Sequence, residues 1–165
     1  MNTALAQTGT CEKNGKNDGD VEKYLDAVGL EKGSPYCAAG QYYCFYISTC
    51  SLKMNINNIP IKRTGLANEM FNDGMKKGVS TSFKPVKHDL IVWRKLRSIH
   101  GHIERIVLVH KAGWVTTIGF NVRKFDRLRN KYIEGVFIMK RNIYEPLGRM
   151  RVRGLIGFVP TKVKK

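Results

Sequence analysis

The apolar positions change period once along the chain, and that change divides it into two kinds of structure. In the first half they recur at helical spacing. Val21, Tyr24, Leu25 and Val28 fall at i, i+3, i+4 and i+7, forming one face of a helix that Asp20 can cap and Gly29 and Gly33 can close. A second helix is expected after Ser34 as N-cap and Pro35 as first helical residue, running through Tyr42, Tyr43, Phe45, Tyr46 and Ile47. It is apolar on nearly every side, as a central buried helix should be. A polar loop spans Ser51 to Pro60, and a third helix is expected from about Arg63 to Lys76, with Leu66, Ala67, Met70 and Phe71 inward and Gly74 or Gly78 ending it. From there the period is that of strands: 89–93, 102–110, 114–118, 132–139 and 150–159, with Lys111, Ala112 and Gly113 as a hairpin turn. Helices followed by an antiparallel sheet define an α+β fold. The expectation is a single domain over residues 1–165, ending in a frayed basic tail at 160–165.

Charge sharpens this division. The chain carries 29 Lys and Arg against 13 Asp and Glu, a net charge of +16. Residues 1–83 hold 9 basic and 8 acidic groups, whereas residues 84–165 hold 20 and 5. Such a second half suits an anionic partner: nucleic acid, a membrane surface or a bacterial wall. Arg149, Arg151 and Arg153 alternate along the last strand and are expected to form a ridge on one face. Arg123, Lys124, Arg127, Arg129 and Lys131 are expected in the preceding loop. Blunting an exposed strand edge would explain the Arg ridge nearly as well.

Four cysteines stand at 11, 37, 44 and 50, without a CxxC pair and without the spacing of a compact zinc knuckle. Met1 to Thr10 lacks the basic start and apolar core of a secretory signal. Reduced thiols are therefore expected, with Cys44 and Cys50 as packing residues.

Cys37 is different because of where it falls. In the first turn of a helix, unpaired N–H groups and the positive dipole end favour an anion, so a thiol there should ionise more readily than a free one. A buried packing cysteine is the alternative. A nucleophilic Cys needs an imidazole, and that imidazole needs a polar group to hold it. His102 follows Gly101 at a strand start and can face the helices, whereas His88, His100 and His110 lie in turn-like surroundings. Asn121, just past the strand that begins at Trp114, can supply the third group. Cys on a helix, then His and a polar residue on later strands, is the chain order of papain-like hydrolases.

Pro-Tyr-Cys-Ala-Ala at 35–39, Asp-Leu-Ile-Val-Trp at 89–93, Gly-His-Ile at 101–103 and Gly-Trp-Val-Thr-Thr-Ile at 113–118, with Asn121, together resemble the CHAP family. These are cysteine- and histidine-dependent amidohydrolases/peptidases that cut bacterial peptidoglycan, and the resemblance runs from roughly Asn17 to Val159. It implies a papain-like arrangement with Cys37 as nucleophile and His102 as general base, and no metal or cofactor. The family's third residue is often a Glu two positions before an Asn. Here that position is Gly119, while Asn121 is kept. Asn121 is accordingly the expected orienting group, with Glu104, two residues after His102 and on its face, as the lesser candidate. Glu104 is expected chiefly as a substrate or surface contact, and Tyr36 as a residue lining the cleft.

The resemblance implies cleavage of an amide bond in the wall, by N-acetylmuramoyl-L-alanine amidase or endopeptidase action. The implied partners are peptidoglycan and an anionic envelope surface, with no nucleic acid, and the protein is expected to be a monomer. It would be made in the cytoplasm and reach the wall after release, as a phage lysin does, or by non-classical export. Two other classes remain: an inactive hydrolase fold used for binding, and a basic nucleic-acid-binding domain. No recognition-helix pattern and no aromatic series on a basic sheet supports the latter.

Overall fold

The structure is a computed structural model, and it describes residues 1–77 and 83–158. It is an α+β fold in which helices precede an antiparallel sheet. The helices are α1 (Asn2–Leu5), α2 (Glu22–Val28), α3 (Cys37–Ser51) and α4 (Ala67–Lys76). The strands are β1 (Leu90–Lys95), β2 (Gly101–Val109), β3 (Trp114–Asp126), β4 (Lys131–Asn142) and β5 (Met150–Ile156), in the order β4-β3-β2-β1-β5. The expected basic tail at 160–165 and the expected helix stop at Gly78 lie outside the described residues.

The apolar face of α2 is as its spacing predicts. Val21, Tyr24 and Leu25 are fully enclosed, and Gly29 closes the helix in the left-handed region at φ 73°. The Tyr24 ring lies 5.7 Å from Tyr36, 5.2 Å from Tyr43 and 5.0 Å from Phe120, tying α2 to α3 and β3. The first of these pairs is stacked and the other two are edge-to-face, arrangements that add directional attraction to the area they bury. The first half of α3 is enclosed, and in its second half Thr49 is the buried position. Tyr46 is exposed and so is Cys50, which is not the packing residue expected. Helix α4 starts at Ala67 rather than Arg63, so Leu66 is its N-cap and points outward, contrary to expectation. Ala67, Met70 and Phe71 do face inward.

Apolar side chains fill both faces of the sheet. Leu90, Val92 and Ile103 pack with α3 and α4, and Ile118, Phe120 and Val136 pack with α2 and α3. A separate cluster of Ile91, Trp93, Ile106, Val115, Ile143 and Leu155 fills the other side. Helix α3 comes very close to β3 at Gly40, where an added Cβ would lie 2.1 Å from Cδ1 of Phe120. A well-packed ring cannot give way by that distance without strain. Gly40→Ala is expected to cost about 1–3 kcal/mol in urea unfolding, and Phe120→Leu in the same chain should recover part of it.

Irregularities in two strands move residues off the faces that alternation assigns them. Strand β3 does not stop near 118. It shifts register between Gly119 and Val122 and continues to Asp126, so Arg123 and Lys124 belong to a strand and not to a loop. In β5 the pairing steps from Val92↔Gly154 to Trp93↔Val152, which leaves Arg153 as the extra residue of a bulge. Its guanidinium donates to Asn68 O at 2.9 Å, to Asn68 Oδ1 at 3.1 Å and to Asn72 Oδ1 at 2.5 Å, and covers the Phe71 ring. Arg153 therefore fastens α4 to the sheet instead of continuing a ridge from Arg149 and Arg151.

Candidate active site

The β2–β3 ladder runs from Val109↔Val115 to Glu104↔Gly119, and beyond Gly119 the partner of β3 is β4. The start of α3 meets both strands where they part. Gln41 Nε2 donates to Ile118 O at 3.3 Å, Gly40 abuts Phe120, and Cys37 Sγ lies 3.9 Å from Gly101 O. Cys37 is the first residue of the helix, not the third, and Tyr36 is the N-cap in place of Ser34. The first helical bond is Gly40 N–H to Tyr36 O at 2.8 Å. The N–H groups of Cys37, Ala38 and Ala39 thus precede the helical ladder and are aimed out of its positive end.

His102 lies near enough to that thiol for the sulfur to raise its pKa, and it is hydrogen-bonded to Glu104. Its Nε2 is 3.0 Å from Glu104 Oε1. The imidazole lies 5.9 Å from its cross-strand neighbour Trp93, centroid to centroid. Cys37 and His102 each keep a small accessible area, 6% and 8%. Glu104 is fully enclosed. Besides His102 it accepts from Arg141 Nη2 at 2.7 Å, from Arg141 Nε at 3.1 Å and, on Oε2, from Thr117 Oγ1 at 2.5 Å.

A buried carboxylate survives only with such partners. Burial alone would raise the Glu104 pKa, but the hydrogen bond and charge of His102, followed by those of Arg141, hold it at about 2. Burial likewise favours neutral His102. It is outweighed by the influence of the nearby Cys37 and of Glu104, to which it is hydrogen-bonded, and the imidazole is raised to about 9.

Both shifts make folding depend on pH. Glu104, held below its ordinary 4.5, contributes stability that is present above about pH 4.5 and fades as the pH falls toward 2. His102, raised above its ordinary 6.5, contributes stability that is full below about pH 6.5 and is lost as the pH rises through 9. Thermal unfolding midpoints should therefore decline on both sides of that interval, and His102→Gln should flatten the alkaline decline.

The other expected site residues are placed elsewhere. Asn121 does not orient His102. It occupies the β3 irregularity with φ 57°, and its Nδ2 donates to Asn17 Oδ1 at 2.8 Å and Glu12 Oε1 at 3.3 Å. Tyr36 does not line a cleft. It is fully enclosed, and its hydroxyl donates to Glu12 Oε1 at 3.1 Å. Glu12 also accepts the backbone N–H of Asn17 at 2.9 Å, so Tyr36, Asn121, Asn17 and Glu12 form one polar cluster behind the start of α3. Nor can Glu104, with no exposed surface, touch a substrate. Beside Gly101 lies Asn68, largely buried, whose Nδ2 donates to the carbonyls of Ile99 and His100 at 3.0 Å. Asn68 lines a hollow of about 220 Å³ with Asn72, Arg94, Ser98 and Arg153.

Sequence reasoning missed Thr117, Arg141, Glu12 and Asn17. Arg141 lies 37 residues from Glu104 in a strand rich in cations, and nothing local distinguishes it.

The chain matches no protein-family model, no curated protein and no solved structure.

Proposed function

We propose that this protein is a cysteine amidase or endopeptidase of bacterial peptidoglycan, with Cys37 as nucleophile, His102 as general base and acid, and Glu104 as the group that orients His102. The observation that carries this reading is the grouping of Cys37, His102 and Glu104, in which a thiol at a helix start lies near enough to an imidazole to raise its pKa and that imidazole is hydrogen-bonded to a buried, doubly supported carboxylate. A packing cysteine needs neither partner. The arrangement is papain-like in its parts, a helix-start thiol against a strand imidazole.

In the CHAP-like layout the third carboxylate would stand on residue 119. Here Glu104, its cross-strand partner, fills the space over Gly119, with Oε1 2.9 Å from where a Cβ would be. The carboxylate has changed strands while keeping its task.

The chemistry then follows. His102 takes the Cys37 proton, and the sulfur attacks the amide carbonyl. The N–H of Cys37 holds the developing oxyanion, a contribution of about 3 kcal/mol. Glu104 keeps the ring aligned and stabilises its cationic form. His102 passes the proton to the leaving amine as the C–N bond breaks, and water, deprotonated by His102, cleaves the thioester to a carboxylic acid and the free thiol. Arg94 beside Gly101 presents a cation to an acidic stem peptide. The excess of cations in residues 84–165 holds the enzyme on an anionic wall.

The test is mass spectrometry of fragments released from purified peptidoglycan, run beside Cys37→Ala. New amine and carboxyl ends at one bond, absent with the variant, are expected and identify the bond cut. Intact wall after prolonged incubation, with Cys37 labelled by iodoacetamide no faster than Cys11 or Cys50, would refute the reading.

A further inference from the structure

A second hollow, of about 620 Å³, lies along α3 on the side of Cys44, two turns from Cys37. Its walls are apolar, formed by Ala4, Cys44, Phe45, Val86 and Phe158, with Phe45 and Phe158 rings 5.3 Å apart. Into this surface the chain sends Arg105, which is only 5% exposed. Its guanidinium covers the Phe45 ring at 4.2 Å, and Nε donates to Gln41 Oε1 at 3.4 Å. Its Nη2 is buried and has no hydrogen-bond partner among the described residues. Nor does any carboxylate among them form an ion pair with it.

A buried cation with an unmet donor and no counter-charge is costly. The group that relieves that cost is an anion, and a carboxylate matches the guanidinium fork best. The apolar walls in turn favour hydrocarbon over a sugar or a polar peptide, and the volume is in the range of small-molecule sites. Lys87 and His88 stand at the rim, where they add to the attraction for a negative head. We propose that this hollow binds a long-chain carboxylate of the fatty-acid type, its head on the Arg105 guanidinium and its chain against Phe45 and Phe158. The site uses none of Cys37, His102 or Glu104, so it stands apart from the hydrolase reading.

Titration calorimetry with dodecanoate below its micelle concentration tests this. Saturable one-to-one binding is expected, at least tenfold tighter than that of dodecanol, which has the chain without the charge, or of acetate, which has the charge without the chain. The side-chain ¹⁵Nε signal of Arg105 should move as dodecanoate is added. Arg105→Gln should weaken binding at least tenfold. Should that variant fail to fold, Val86→Trp, which fills the hollow from an exposed rim position, should abolish binding without lowering the unfolding midpoint. Dodecanoate binding no tighter than dodecanol, an Arg105 signal that does not move, or affinity unchanged in either folded variant would overturn the proposal.

Discussion

Glu104→Gln is expected to slow wall hydrolysis by roughly four orders of magnitude, about the cost of neutralising an orienting carboxylate in a triad. The side chain keeps its shape but loses its charge, so the imidazolium formed during attack loses its stabilising partner and His102 is no longer held in one orientation. Arg141 loses its counter-charge in the same change, its Nη2 being 2.7 Å from Glu104 Oε1. Removing one partner of a buried pair costs about 3 kcal/mol or more, so the unfolding midpoint should also fall. Because instability alone could lower activity, the measurement to make is kcat/KM against pH at a temperature where the variant is folded. The alkaline limb, set by His102 at about 9, should move toward lower pH once the carboxylate is gone. Asn121→Ala, which the sequence would have made the damaging change, should alter kcat/KM less than tenfold. The opposite ranking of these two variants would return the orienting task to Asn121.

Gly119→Ala is expected to be harmful as well, though less so, for a steric reason. A Cβ there would lie 2.4 Å from Val122 Cγ2 and 2.9 Å from Glu104 Oε1, closer than real contacts allow. Forcing it in should cost about 1–3 kcal/mol of stability. It should also displace the carboxylate from His102, and misplacement of a catalytic group by about 1 Å can cost roughly a hundredfold in rate. Steady-state kinetics and urea unfolding of the same preparation separate the two effects. Full activity in a folded Gly119→Ala protein would mean that the Glu104 carboxylate need not lie over Gly119.

Local chemistry made much of this legible. Val21, Tyr24 and Leu25 are buried together because i, i+3 and i+4 share a helix face whatever the rest of the chain does. The α+β class follows from where helical periodicity gives way to strands. Cys37 at a helix start and His102 at a strand start were visible because each is marked by near neighbours, Pro35 and Gly101. Tyr36 was misplaced by a shift of the helix start. With the helix beginning at Cys37, Tyr36 becomes the N-cap, and its ring turns in toward Tyr24 and Glu12.

By itself the sequence determined the order of the elements, the faces of the regular ones and the placing of Cys37 and His102 near the starts of a helix and a strand. Only the tertiary structure decided which groups surround the His102 imidazole, because that depends on side chains brought together from β2, β3 and β4, and on a register that sets Glu104 against Gly119. It also decided the fate of Asn121 and Arg153. Each sits at a strand irregularity, where alternation no longer dictates side-chain direction and the nearest partner, Asn17 or Asn68, is far away along the chain. Periodicity is a property of one segment, whereas the charge balance of a buried site belongs to all the segments that enclose it.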